Sequence, residues 1–204
     1  MICVIDYGLG NPVAIHNMLR RIGIESMVSG NRGELAGADK LILPGVGAFD
    51  EGIRNLRSHD LIGFLNEQTR DKKKPFLGIC LGMQLMGASS EEGDLPGLDL
   101  VPMKFQRFQA PANSRMKTLH MGWNEVRQVK DNPLFRDFDR MPSFYFVHGF
   151  FAVCSDDRDI LGTSSYGMEF PSVIGRDNVK GVQFHPEKSH RFGMRLLRNF
   201  AEAC

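Results

Sequence analysis

Three side chains of this sequence are suited to covalent chemistry, a cysteine, a histidine and a glutamate, and each stands where a predicted strand ends. Gly78-Ile79-Cys80-Leu81-Gly82 has the form Gly-x-nucleophile-x-Gly. Flanking glycines let two backbone segments approach closely and let a strained residue stand clear at a strand tip. Lys74 to Leu85 reads as a buried strand, a sharp turn and a helix, so Cys80 sits just before a helix N-terminus. Free N–H groups and the helix dipole there favour the thiolate over the thiol. A nucleophilic thiol needs a base, and the base works better when a third group orients it and supports the imidazolium. His185 and Glu187 leave the end of the last predicted strand two residues apart. In an extended segment both side chains project the same way, with Pro186 stiffening the backbone between them. Pro44-Gly45-Val46-Gly47-Ala48-Phe49 follows another predicted strand, and its backbone N–H groups can point at an oxyanion developing beside Cys80. Each segment also has a plain reading: a small hydrophobe in a turn, surface punctuation, a tight turn. Reading all three that way requires three independent coincidences.

The elements that must position these residues follow from composition and periodicity. The 204 residues are 42% hydrophobic and 24% charged, enough for a full core, and a single domain over 1–204 is expected. Formal net charge is +1, and the one basic run, Lys72-Lys73-Lys74, reads as a solvated helix end. That excludes a general nucleic-acid footprint. Cys3, Cys80, Cys154 and Cys204 are far apart and lack the close Cys/His pairs of a zinc site, so a reducing compartment is expected and no metal. Met1 to Asp6 is too short for a signal peptide, and no apolar run nears the ~20 residues of a membrane span. A cytoplasmic protein without a membrane partner is expected.

Ile2 to Ile5 reads as a strand and Tyr7-Gly8-Leu9-Gly10-Asn11 as a loop before a helix. Asn11 caps that helix, Pro12 suits its first position, and Val13, Met18, Leu19 and Ile22 form its apolar stripe. Val13 occupies the third glycine position of a dinucleotide fingerprint, so no cofactor is read there. Ile24 to Val28 and Lys40 to Leu43 read as the second and third strands. Leu61, Phe64, Leu65 and Gln68 belong to a helix running to the lysine triplet, and Pro75 begins the central strand. Beyond the polar loop Ser89 to Gly93, turns at Pro96-Gly97, Pro102 and Pro111-Ala112-Asn113-Ser114 predict short antiparallel strands over one side. Trp123, the only tryptophan, reads as buried core or as an exposed contact at a partner face. Phe144 to Val153 reads as a strand with a bend at Gly149, and His148 within it as a structural histidine. Val179 to Phe184 is the last strand, and Phe192, Leu196, Leu197 and Phe200 share one face of the closing helix. The class is α/β with an open, mostly parallel sheet.

Four stretches carry a family resemblance: Pro44 to Phe49, Gly78 to Gln84, His120-Met121-Gly122-Trp123-Asn124, and Gly181-Val182-Gln183-Phe184-His185-Pro186-Glu187-Lys188-Ser189. Their order, over almost the entire chain, resembles the class I glutamine amidotransferases, and within them the glutaminase subunits serving histidine biosynthesis. The resemblance implies a three-layer, flavodoxin-like fold with some antiparallel edge strands. It implies that Cys80 attacks the side-chain amide of L-glutamine, that His185 shuttles the proton, and that Glu187 orients His185. The oxyanion would be held by the Leu81 N–H and by an N–H at Val46 or Gly47. Gly47, Gln84 and Glu92 would contact glutamine, with the Gly149 to Phe150 backbone beside its α-carboxylate. No cofactor is implied. Ammonia would pass to a (β/α)8-barrel cyclase in a heterodimer, with Asn11, Trp123 and Lys188 at the interface, and the oxyanion loop would not be fully formed until that partner binds. Most members read His-Ser-Tyr or His-Thr-Tyr where this chain has His148-Gly149-Phe150, which leaves the backbone contacts to glutamine. The tail from Lys188 to Met194 also resembles paralogues that supply ammonia for sugar amidation in surface-polysaccharide pathways. A non-catalytic docking subunit is the rival of another class, and the intact Cys80, His185 and Glu187 speak against it.

Overall fold

Ile2–Ile5 forms β1, buried at every position, which marks a strand covered on both faces. The computed structural model of the chain describes residues 1–109 and 117–204, so the turn expected at Pro111-Ala112-Asn113-Ser114 lies outside the described residues. α1 (Pro12–Arg21) starts as expected: the Asn11 side chain accepts the Ala14 N–H at 3.0 Å and Pro12 opens the helix. Its stripe is set differently. Ile15 and Leu19 are buried with Met18 and Ile22 packed beside them, whereas Val13 points to solvent at 55% exposure. β2 (Ser26–Ser29) begins later than Ile24, because the Ile24 N–H still bonds to Leu19 O at 2.9 Å and Gly23 turns the chain at φ +77°.

The next units are α2 (Arg32–Gly37), β3 (Lys40–Leu43), α3 (Phe49–Ser58), α4 (Leu61–Asn66), β4 (Phe76–Ile79) and α5 (Leu81–Leu85). The helix expected to reach the lysine triplet changes at Glu67 into a π-helical turn, Glu67–Asp71. Lys74 is no solvated helix end: its ammonium donates to Leu35 O and Ala36 O near the end of α2. The strands that follow are β5 (Ser89–Ser90), β6 (Met103–Arg107), β7 (His120–Glu125), β8 (Arg127–Gln128), β9 (Ser143–His148), β10 (Phe150–Cys154), β11 (Ile160–Ser165) and β12 (Glu169–Arg176), and they pair with one another antiparallel except β5, which runs parallel to β6. β13 (Val179–Val182) and α6 (His190–Ala203) close the chain.

The main sheet runs β2-β1-β3-β4-β13-β12-β11-β8. Its first five strands pair in parallel and the last three antiparallel, which bears out the mostly parallel α/β class with antiparallel edge strands. Alternate residues feed two cores. Cys3, Ile5, Leu41, Leu43 and Phe76 pack under α2 to α5, and Ile2, Val4, Ile42, Leu77 and Ile79 pack under α1 and α6. Leu196, Leu197 and Phe200 of α6 are fully buried there. The result is a three-layer sandwich whose strand order at the parallel end matches the flavodoxin-like rule, with ligand sites at the carboxyl ends of the strands. Phe144 to Val153 is two strands: Gly149 breaks it, β9 pairs with β7, and β10 pairs with β6 in another small sheet.

Candidate active site

Cys80 occupies the turn between β4 and α5 with φ 54° and ψ −113°, a conformation costly for a non-glycine residue and held by what surrounds it. A Cβ on Gly82 would lie 1.9 Å from Leu43 O, and one on Gly78 would lie 2.7 Å from Gly82 O. The two glycines of the motif therefore let α5 seat directly on β3 and β4. Gly45 is equally tight, since a Cβ there would meet Leu81 Cβ and the Tyr7 hydroxyl oxygen, each at 2.7 Å. That brings the Pro44–Ala48 segment against the elbow. Tyr7, fully buried, donates its hydroxyl to Pro44 O at 2.9 Å. Burial and the neighbouring Cys80 sulfur raise its phenol far above the usual value and keep it neutral. Gly47 takes φ +135°. Among the described residues, the amides of Val46, Gly47 and Leu81 donate no hydrogen bond.

His185 follows β13 and is pinned through its backbone. Its N–H donates to Tyr145 O of β9 at 2.9 Å, and the Ser189 hydroxyl donates to His185 O at 2.5 Å while accepting the Tyr145 N–H at 3.0 Å. The segment is not extended, as the spacing suggested; Pro186–Lys188 is a 3-10 turn. That turn still brings Glu187 Oε1 to 2.7 Å from His185 Nδ1. α6 supports it from behind, and a Cβ on Gly193 would lie 1.8 Å from Pro186 O. With Nδ1 engaged, the buried Nε2 has no hydrogen-bond partner among the described residues and shares a cavity with the Cys80 thiol. Burial opposes the imidazolium, but the Cys80 sulfur and the Glu187 carboxylate outweigh it and hold the ring well above the usual histidine range. A thiol that gives its proton to an imidazole backed by a carboxylate leaves a thiolate beside an imidazolium, a pair that can attack a carbonyl and return the proton to a leaving amine.

The cavity measures about 200 Å³ and brings together Cys80, His185, Val46, Gly47, Leu81, Gln84, Glu92, Gly149 and Phe150. All the predicted catalytic, oxyanion and glutamine positions thus meet in one place, apart from Glu187, which stands behind His185. Glu92 Oε2 accepts the Phe49 N–H at 2.9 Å, at the start of α3. Burial raises its carboxyl, while that bond and the Arg107 charge oppose the shift. A larger hollow of about 310 Å³ lies at the opposite strand ends, between Thr69, Asp99 and Asn178, and no cysteine lines it. Tyr7, Gln183 and the lining residue His148 are neighbours the motifs did not single out. Gln183 is fully buried, with Nε2 3.8 Å from Cys80 Sγ and Oε1 3.3 Å from Gln84 Nε2. Its position within the His185 motif was a signal that could have found it.

The proposed interface residues fall near the same rim. Trp123 is 51% exposed and stacks on His190 at 5.4 Å, and the Lys188 ammonium lies 5.7 Å from the Tyr145 ring centroid. The core reading of Trp123 is thereby excluded. Asn11 is exposed, with its side chain committed to capping α1. No helix of the described residues is long and apolar enough to cross a membrane.

Comparison with known proteins gives this geometry its family. The chain is 47% identical over 202 residues to "Imidazole glycerol phosphate synthase subunit HisH 2" of Pseudomonas aeruginosa, covering 99% of each chain. It is 46% identical over 200 residues to the protein of the same name from Methanococcus maripaludis, covering 98% of each. It is 45% identical over 203 residues to "Imidazole glycerol phosphate synthase subunit HisH" of Bdellovibrio bacteriovorus, covering 99% of this chain and 100% of that one. A solved glutamine amidotransferase at 18% identity superposes with a TM-score of 0.73, covering 99% and 98% of the two chains. A structure of PurLQS from Thermotoga maritima, 19% identical, also gives 0.73 over 98% and 96%. These two share the fold. A model of the family "Glutamine amidotransferase class-I" matches residues 3–204, and the chain belongs to the class I glutamine amidotransferases, as an enzyme that hydrolyses glutamine.

Proposed function

We propose that Cys80 attacks the side-chain amide carbon of glutamine while His185 Nε2 takes the thiol proton and passes it to the departing ammonia. The remaining γ-glutamyl thioester is opened by water, which His185 deprotonates, giving glutamate and the free thiol. Glu187 holds His185 through Nδ1, and the amides of Leu81 and of Val46 or Gly47 receive the oxyanion, a contribution of about 3 kcal/mol per donor. Gln84, Glu92 and the Gly149–Phe150 backbone hold the amino-acid end of the substrate. The observation that carries this reading is the 2.7 Å contact between His185 Nδ1 and Glu187, which leaves a buried, unpartnered Nε2 in the cavity of Cys80.

The relatives' names support a subunit role in imidazole glycerol phosphate synthesis, and the cytoplasm is the compartment proposed for it. Ammonia would enter a (β/α)8-barrel cyclase docked on the rim that carries Asn11, Trp123 and Lys188. Docking completes the oxyanion loop, because activation by a partner requires an element that changes state. A second reading, ammonia supply for sugar amidation, is favoured by the tail from Lys188 to Met194, which resembles the paralogues of surface-polysaccharide pathways. Neighbouring genes for histidine synthesis or for sugar modification separate the two. For the chemistry, glutamate release is measured with and without the ligand-loaded cyclase: it should rise at least ten-fold with the partner and fall to background in Cys80→Ala. Release that Cys80→Ala leaves unchanged ends the reading.

A further inference from the structure

Behind the cavity wall lies a chain of side-chain hydrogen bonds to which the proposed reaction assigns no task. β10 is an edge strand paired with β6 alone, in register Phe150 to Arg107. The Phe108 N–H donates to Gly149 O at 3.0 Å, which makes Gly149 and Phe108 a hydrogen-bonded pair. Phe150 and Arg107 are then the non-bonded pair, and both backbone groups of Phe150 face away from β6. Arg107 behaves accordingly, with its N–H turned to Glu91 Oε2 at 2.8 Å.

The Phe150 carbonyl lies 2.7 Å from His148 Nδ1. A carbonyl only accepts, so Nδ1 carries the proton and Nε2 of a neutral ring must accept. Nε2 is 3.0 Å from His120 Nδ1, which therefore donates. His120 Nε2 in turn accepts from Asn124 Nδ2 at 3.2 Å, and that amide also donates to Ser165 O at 2.8 Å. The Glu125 N–H on Asn124 Oδ1, at 2.8 Å, fixes the amide's orientation. Every link runs in one direction, from Asn124 on β7 to the backbone of the cavity wall. Both rings are 4% exposed and packed among Phe108, Phe146 and Phe170. Burial pushes His120 down to about 4 and His148 down to about 3, so both stay neutral.

We propose that His148, held in one tautomer by His120, is the positioning residue that aims the Phe150 N–H at the α-carboxylate of glutamine. The proposal rests on the glutamine site described above and adds what orients its wall. Gly149 and Phe150 bring no hydroxyl, so the backbone N–H is the donor this corner has; the Phe108 N–H on Gly149 O holds the peptide plane that carries it, and the His148 bond to Phe150 O holds the plane that follows, so that without His148 the residue is anchored on one side only. A buried polar pair is tolerated only when every atom is satisfied, and here the last atom in the chain belongs to the cavity wall.

The test is protection of Cys80 from alkylation by iodoacetamide, which has no α-carboxylate, as L-glutamine is titrated against the intact chain. His148→Leu should raise the half-protecting concentration at least ten-fold and leave the unprotected alkylation rate within two-fold. His148→Asn, whose side-chain amide can still donate to Phe150 O, should stay within three-fold of the parent. Half-protection unchanged in His148→Leu overturns the proposal. If the parent chain gains no protection from glutamine, the glutamine site itself fails, which is a different result. Should His148→Leu not fold, 15N spectra of the parent chain decide: both histidines must show the Nδ1–H tautomer at pH 7, and an Nε2–H form at His148 overturns the assignment.

Discussion

The two walls of the cavity are built on different physics. On the Cys80 side, backbone meets backbone where an added Cβ on Gly82 or Gly45 would sit 1.9 Å from Leu43 O or 2.9 Å from Gly82 N. On the facing side, β7, β9 and β10 belong to two small sheets, and their alignment at the site depends on hydrogen bonds through His120 and His148. A steric fit excludes extra atoms but is indifferent to protonation. A hydrogen-bonded fit admits similar shapes but depends on which nitrogen carries the hydrogen. On the proposed reading the nucleophile sits on the wall that steric fit holds, and the substrate's recognition end meets the wall that can be tuned.

The steric claim is broken most directly at Gly82. Gly82→Ala places its methyl against a backbone carbonyl that cannot rotate away, so overpacking should cost about 3 kcal/mol, the upper end of the usual range. In a surface helix the same change would be mildly stabilising. Denaturant unfolding measures it, and a loss under 1 kcal/mol would show that α5 can shift and that this wall is not rigid.

Between the walls stands His185, whose charge depends on both sides. Burial works against its imidazolium, but Cys80 and Glu187 lift it from 6.5 to about 10. A folded value above the unfolded one means that its stabilising contribution is complete below pH 6.5 and is lost as the pH climbs through 10. Glu187→Gln preserves an acceptor for Nδ1 and removes the charge. Histidine titration followed by NMR should move down toward the ordinary value, the stability loss should begin at correspondingly lower pH, and kcat should fall roughly 10²-fold. An unmoved titration would remove Glu187 from its supporting role.

The contrast between the walls also explains what could be read in advance. A close backbone approach demands glycine at a fixed spacing, so Gly78, Gly82 and Gly45 announced the elbow and its neighbouring loop directly. The parallel strands β1, β3 and β4 were legible as short apolar runs because both their faces are covered. β11 and β12 passed unread because Thr163, Ser164 and Ser172 are buried polar residues that interrupt the apolar pattern. Ser164 is satisfied by a side-chain bond to Ser172 at 2.8 Å. The histidine relay joins residues on three strands, and no local spacing encodes it. His185 and Glu187 were paired correctly for a different geometric reason, since a 3-10 turn rather than an extended segment brings them together.

The smallest expected effect tests whether the steric wall contains one polar tie that matters. Tyr7 reaches Pro44 O from under the loop, and its phenol is neutral at any pH the protein meets. Tyr7→Phe keeps the ring in the core and leaves a buried carbonyl without that donor, a change worth about 1 kcal/mol in stability. Pro44 lies just before the amides of Val46 and Gly47, so a loosened carbonyl lets the loop turn more freely while Gln84, Glu92 and the Phe150 wall stay in place. Glutamine hydrolysis by the partnered enzyme should therefore lose a few-fold in kcat, with KM unchanged. A rise in KM with kcat intact would place the tie on the substrate side instead, and the division of labour between the two walls would have to be redrawn.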